Sequence, residues 1–474
     1  MRILLFLLGC IPVMVAAQDT HYWSSQFNPG GFVMPGATVA DTRDSGVFFF
    51  NPALLAFRPQ RSISVSGNIY QYATLKIREG TGVHKPLVSS GTGIYPSMLA
   101  GSVPIKRGRV VMAYGLLHHY ILSYKVTQRQ DKHMDVLDNA YSPGSETFIG
   151  QYAAQNLINE TSGLLSAAVR LKPSLTAGIT LEGIMRKQFL DEEVSARALV
   201  NTGSTTDFLP LTNVESVYRV EYTSIGVRPR LGLAYNRDRH HFGLTVSLPL
   251  LKLSGRGTLV SDNLVTNLVL GAGLSPLNLL ANTRQEKLHI RYKSPVSIAA
   301  GYTFDYGKGQ LFAAAEWFAG LKEYAILTPR NEYYIRPDTA QISGEGLLTL
   351  RDARRPVVNA ALGITFPVTE RIQGYAAART DFTYTDRRRF SVPDGHTPYT
   401  SYWNNYHLQV GANIRKKKME VRPCLMFTYG GMNGYAQPVN FDTPNESNLL
   451  LGELGVSRAS YFVAGFQLSY IHAL

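Results

Sequence analysis

From Ser62 to the C-terminus the chain is a succession of short runs in which apolar and polar side chains alternate, joined in turn by tight polar turns and by long connections. A period of two marks a strand with one apolar and one polar face. Ser62 to Gln71 opens the series, with Ile63, Val65, Gly67 and Ile69 opposite Ser62, Ser64, Ser66 and Asn68. Six pairs of runs follow. The first is Ser97 to Val103 with Arg109 to His119, and the second is Gly163 to Leu171 with Leu175 to Arg186. Then come Tyr222 to Tyr235 with His240 to Leu248, and Val296 to Tyr306 with Gln310 to Phe318. The last two are Val357 to Phe366 with Arg371 to Phe382, and Tyr406 to Ile414 with Met419 to Tyr429. Tight turns such as Lys172-Pro173-Ser174 and Gly307-Lys308-Gly309 join each pair, and Tyr461 to His472 closes the series.

One opening strand, six hairpins and one closing strand make fourteen. In hydrocarbon every backbone N–H and C=O needs a partner, which a row of strands achieves only by closing on itself. The expected fold is all-β: a transmembrane antiparallel barrel of about 14 strands. Long connections (Tyr120 to Ser162, Lys187 to Glu221, Pro249 to Pro295, Ala319 to Pro356) alternate with the tight turns, as outer-membrane barrels separate their outer from their periplasmic side. An even strand count then places both termini in the periplasm. A water-soluble β-sandwich shows similar alternation, but does not need strands of this length or Tyr, Phe and Leu gathered near strand ends.

The composition agrees. With 27 Tyr, 21 Phe, 42 Gly and only 17% charged residues, lipid-facing and lumen-facing side chains cancel in the average. No stretch reaches the roughly 18 consecutive apolar residues of a membrane-spanning helix. Residues 1–17 read as a signal peptide: Arg2, an apolar run from Ile3, and Val15-Ala16-Ala17 before Gln18. A lipidated Cys10 is the alternative, but too little chain precedes it. Cleavage leaves Cys424 alone, which excludes a disulfide framework or a cysteine zinc site within one chain. The net charge of +13 forms no continuous basic face, so it suits an anionic lipopolysaccharide surface and outer-membrane lipid better than nucleic acid. Residues 18–59, too apolar to dangle, are expected to fold in the lumen as a plug, with residues 60–474 forming the barrel and its outer loops.

Catalytic motifs are missing: there is no Gly-x-Ser-x-Gly, His-Glu-x-x-His or P-loop pattern. His118-His119 and His240-His241 are neighbours on strands, so their rings point to opposite faces and neither pair chelates as a unit. No catalytic residue, metal ligand or cofactor is assigned. Glu182, Glu316, Arg379 and Asp381 are read as lumen charges that pair with one another or with the plug, and Asn51 as a turn or cap residue.

The plug segment carries Met34-Pro35-Gly36-Ala37-Thr38-Val39-Ala40-Asp41 and, after Asp44-Ser45-Gly46, the run Val47-Phe48-Phe49-Phe50-Asn51-Pro52-Ala53. This resembles the N-terminal pattern of the FadL-like family of outer-membrane transporters, in which a glycine-rich turn precedes an acidic stretch, an aromatic run and Asn-Pro-Ala. Ser294-Pro295-Val296-Ser297-Ile298, Ala315-Glu316-Trp317 and Arg379-Thr380-Asp381-Phe382 look like segments of bacteroidete members. Pro35 stands where the family has its first turn glycine, and the chain ends on Leu474 rather than on an aromatic residue for the barrel assembly machinery. The resemblance implies a fourteen-stranded barrel with an N-terminal hatch and passive uptake of a hydrophobic small molecule, a long-chain fatty acid or an aromatic hydrocarbon. Two other functions stay open: an accessory barrel that binds proteins of a type IX secretion system, and an outer-membrane lipid-modifying enzyme.

Two regions are candidates for the substrate. Asn263 to Leu280 lies in a long connection yet holds Leu264, Leu268, Leu274, Leu277 and Leu280, with Asp262 or Asn263 and Ser275-Pro276 as starts of short helices. An outer apolar cluster marks a binding site or packs on the rim, and the resemblance implies a greasy capture groove. Arg109 to His119, the third strand, is apolar on both faces: Met112, Tyr114 and Leu116 alternate with Val111, Ala113 and Gly115. Gly115 in mid-strand permits a kink, and the resemblance implies a lateral exit there.

Overall fold

The structure, a computed structural model, describes residues 20–23, 39–40, 47–57, 59–105, 109–201, 210–270, 274–336, 344–392, 395–398 and 400–474. The signal peptide, the Met34 to Ala37 turn and the Lys106-Arg107-Gly108 turn lie outside them. The barrel opens with β1 (Ser62–Ile77), β2 (Leu87–Ile105), β3 (Val110–Met134), β4 (Glu146–Lys172), β5 (Leu175–Leu199) and β6 (Leu211–Arg237). Four strands are interrupted once: β7 (His240–Ser247, then Leu251–Leu268), β8 (Leu277–His289, then Ser297–Asp305), β9 (Gln310–Phe318, then Leu321–Leu327) and β10 (Leu350–Arg354, then Val357–Pro367). It ends with β11 (Ile372–Asp381), β12 (Asn405–Lys416), β13 (Met419–Ala436) and β14 (Val456–Ala473). Pro249, Pro295 and Pro356 stand in three of the interruptions, where a residue without an N–H cannot continue a ladder.

All pairing is antiparallel between neighbours, and β14 returns to β1 from Ser62–Ala473 to Ile77–Ala459, so the fourteen strands close. Ser62 also faces Ser102, near the β2–β3 turn, so the chain leaves the barrel at the end that carries the tight turns. No described helix is long and apolar enough to cross a membrane; the strands do so instead.

On β5 the outward side chains are Leu175, Ala177, Ile179, Leu181 and Met185, and the inward ones Thr176, Gly178, Thr180 and Glu182. Beyond Met185 the outward positions become Lys187, Asp191, Glu193 and Arg197 while Leu190, Val194 and Ala196 turn inward and are buried. The alternation inverts: apolar outside within the membrane, apolar inside above it. This corrects the long connections of the sequence reading. Most of Tyr120 to Ser162, Lys187 to Glu221 and Pro249 to Pro295 is strand, carrying β3 to β8 well past the membrane. Asn263 to Leu280 likewise forms the ends of β7 and β8 with the tip between them, and not short helices, because Leu264 pairs with Leu280 and Val265 with Leu279 in a ladder.

Candidate passage through the barrel

The described part of the N-terminal segment lies against the inner wall at the turn end. Val47–Phe50 forms one helical turn and Pro52–Phe57 a 3-10 turn. Asn51, fully buried, holds them together: its Nδ2 donates to the carbonyls of Val39 (2.9 Å) and Leu233 (3.1 Å), and its Oδ1 accepts from Ala53 N (3.1 Å). Phe48, Leu54 and Leu55 pack on Val111, Ala113, Leu117 and Leu164 of β3 and β4. The wall beneath them is stripped of side chains. A Cβ on Gly178 would stand 2.6 Å from the Pro52 carbonyl carbon, and one on Gly301 2.8 Å from Val39 Cβ. Gly232 and Gly243 have no room for one against Asn51 and the Val39 carbonyl. Since Gly178 faces Gly232, and Gly243 faces Gly301, the glycines form a track across β5 to β8 in which the segment's backbone lies.

Above it comes a polar layer. Arg228 and Arg230 reach Glu182 at 2.8 and 3.6 Å, and Arg230 lies over the Phe49 ring at 4.6 Å. Trp23 donates from its indole to Glu316 (2.7 Å) and from its backbone to Asp381 (3.1 Å), which also accepts from Asn359 (3.1 Å). Arg379 is buried beside Asp381. The inward charges therefore meet one another and the N-terminal segment. A cavity of about 90 Å³ lined by Tyr22, Trp23, Phe49, Arg230, Glu316 and Phe318 remains between them, room for a few waters at about 30 Å³ each.

The extended strands enclose an apolar chamber built of Tyr124, Phe148, Ile158, Leu190, Val220 and Leu259 among others. Two of its ionisable groups are shifted toward their neutral forms. Burial pushes the Glu192 carboxyl up to about 8 despite a hydrogen bond from Tyr152 (3.0 Å), and burial pushes His396, stacked on Tyr218, down to about 3. The connection from β13 to β14 covers the mouth and inserts Val439, Phe441, Leu449, Leu450 and Leu451 into the chamber. Glu446 latches it to two hairpin tips on the other strands, accepting from Asp138 N (3.0 Å) and Val269 N (3.2 Å). Leu449 and Leu450 are held at φ 55° and 59°, a left-handed conformation that costs a bulky residue of order 1–3 kcal/mol. The burial of both side chains holds this strained lid shut.

The wall itself has a discontinuity. β2 and β3 pair from Ile105–Val110 to Met98–Leu117 and no further, although β2 runs on to Leu87 beside β1 and β3 to Met134 beside β4. Ser97 is an extra residue in the β1–β2 ladder, opposite the step from Ser66 to Gly67, and Pro96 follows without an N–H to donate. β3 shifts register between Tyr120 and Leu122. The strands meet again where Lys125 N donates to Ser89 Oγ (3.0 Å).

The named residues fall as follows. Met112, Tyr114 and Leu116 face outward into the apolar band just below the discontinuity. Gly115 faces inward in an unbroken ladder, where a Cβ would stand 2.8 Å from Phe48 Cζ, so it makes room for Phe48 and is no kink. Leu268 is fully buried in the chamber and Leu277 packs on it, whereas Leu264 is half-buried and Leu274 and Leu280 are exposed. His118 contacts Thr161, His240 contacts Tyr302 and His241 contacts Asp305, each ring separately. The lid and the glycine track escape a sequence reading. The track had a signal in glycines recurring at mid-strand; the lid had none.

No family model and no curated protein sequence matches the chain. Solved structures do. A FadL homologue of Pseudomonas aeruginosa superposes with a TM-score of 0.55 at 16% identity, over 97% of this chain and 99% of its own. The Pseudomonas putida toluene transporter TodX gives 0.52 at 12% identity over 97% and 99%. The Ralstonia pickettii toluene transporter TbuX gives 0.55 at 12% over 95% and 99%. End to end, the chain has the fold of the FadL-type barrels.

Proposed function

We propose that this barrel is an outer-membrane channel for passive uptake of hydrophobic small molecules, long-chain fatty acids or aromatic hydrocarbons, with residues 18–59 as its hatch and both termini in the periplasm. The break in the β2–β3 ladder carries the reading. A polar solute gains nothing from a slot that opens sideways into lipid, whereas an apolar one leaves an apolar chamber for an apolar membrane without crossing water. Cargo displaces the lid leucines, whose strained backbone lowers the cost of letting them go, takes their place among Leu268, Leu277 and their neighbours, and leaves between β2 and β3 above Met112, Tyr114 and Leu116. The two toluene transporters of the same fold support the substrate class, though not the choice between hydrocarbon and fatty acid. No covalent step is involved.

The structure of the protein purified in a mild detergent and soaked with a brominated fatty acid tests this. Halogen density is expected in the chamber, with the 437–455 connection displaced. Density confined to the outer surface, with the lid shut, would refute the route.

A further inference from the structure

Where the outer face changes from apolar to polar, β5 to β8 carry an unusual row. Lys187, Thr223, Arg256 and His289 stand opposite one another across three successive ladders, one outward position above Met185, Ile225 and Ser254. Lys252 joins them, its Nζ 2.5 Å from His289 Nε2. Arg291 is close enough to repel both Lys252 and Lys293, the latter lying over the Tyr324 ring at 4.6 Å and within the field of Asp352. Among the described residues, Lys187, Lys252, Arg256 and Arg291 have no carboxylate within ion-pair distance.

Higher on the same strands Arg219 pairs with Asp191 (2.9 Å), Arg197 with Glu215 (3.4 Å) and Arg284 with Glu286 (2.7 Å). In the next outward row above the patch Glu221 stands between Phe189 and Thr258. Gathering cations without counter-charge costs free energy unless an external anion supplies it. None of the four braces a loop or the lumen. Just beneath them Leu251 and Leu253 are 57% and 67% exposed, with Leu253 beside a register shift in the β6–β7 ladder. Cations thus stand directly over large outward apolar side chains.

We propose that this patch on β5 to β8 binds a phosphorylated, multiply acylated glycolipid of the outer leaflet, its phosphates against Lys252, Arg256 and Arg291 and its acyl chains along Leu251 and Leu253. A lipid fits both chemistries at once; a soluble anion would use only the upper one. The site is independent of what passes through the barrel.

The triple variant Lys252→Gln, Arg256→Gln, Arg291→Gln tests it, beside a control losing equal charge in loops, Arg330→Gln, Arg388→Gln, Arg389→Gln. Native mass spectrometry of detergent-solubilised protein titrated with bisphosphorylated lipid A reads the binding, and heat-modifiable gel mobility confirms that each barrel is folded. The triple variant is expected to bind roughly tenfold more weakly or worse, since charge-assisted contacts to phosphate are among the stronger polar ones. The loop control and the binding of phosphatidylethanolamine should be unchanged. Binding by the triple variant equal to the wild type, an equal loss in the loop control, or an equal loss for phosphatidylethanolamine would overturn the proposal.

Discussion

Tying β2 to β3 above Met98 and Leu117 is expected to reduce uptake of an apolar solute to the level of vesicles without protein. Ile94 and Ser123 are exposed on the two strands beyond the last rung of their ladder, so Ile94→Cys with Ser123→Cys offers two thiols to bis-methanethiosulfonates of graded length, which bridge them through reducible disulfides. Cys424 is buried and does not compete. Reducing the bridge should restore uptake, and either single cysteine treated alike should leave it unaffected. The effect is large because the strands on either side stay paired well beyond that level, β1 with β2 as far as Ile77–Leu87, β3 with β4 as far as Met134–Glu146 and β4 with β5 as far as Phe148–Ala198. If the bridged protein transports normally, cargo leaves by another route, past the plug.

The second large effect is non-additive. On the proposed function the lumen is closed twice, by the N-terminal segment on its glycine track and by the packed chamber beneath the 437–455 lid. Deleting residues 18–59 alone should leave a folded barrel that scarcely conducts ions, and replacing 437–455 by a short glycine-serine linker alone should do the same. Together they should raise conductance in a planar bilayer by on the order of tenfold or more over either one, as a fourteen-stranded barrel without a plug encloses water. Point changes probe the same two seals. Asn51→Ala strands the carbonyls of Val39 and Leu233, at roughly 1–3 kcal/mol for each buried group left without a partner. Gly243→Val drives a branched side chain into the Val39 backbone. Either should loosen the segment while leaving lid and chamber closed. Full conductance from the first deletion alone would show that the chamber is no barrier.

The strand number was legible because a barrel's tight turns are written in Pro, Gly and Lys between runs of period two. Observed strands start and stop within a few residues of those runs at the turn end, as with Val357–Pro367 and Ile372–Asp381. The upper halves were not legible because alternation alone does not say which face is wet. Above Met185 the apolar residues move inside, and Val194 or Tyr218 in such a stretch looks like loop sequence. The run Ser97 to Val103 is only part of β2, which continues through Pro96 to Leu87, and it is beside Pro96 that the ladder with β3 stops. Gly115 permits a kink on sequence grounds, but a glycine in mid-strand has two uses, bending the ladder or admitting a neighbour, and only the position of Phe48 decides between them. The Asn51-Pro52-Ala53 turn was recognisable as a motif, but the matching glycines sit on four different strands, and nothing local relates them.

The measurement that bears most directly on the central claim is flux. Proteoliposomes holding the purified barrel, with a fatty-acid-binding fluorescent reporter trapped inside, should show uptake of oleate or toluene that is faster than in protein-free vesicles, saturable, and independent of any ion gradient. Uptake no faster than in protein-free vesicles, for both solutes, would contradict a hydrophobic passage and leave the barrel as a docking platform for other proteins.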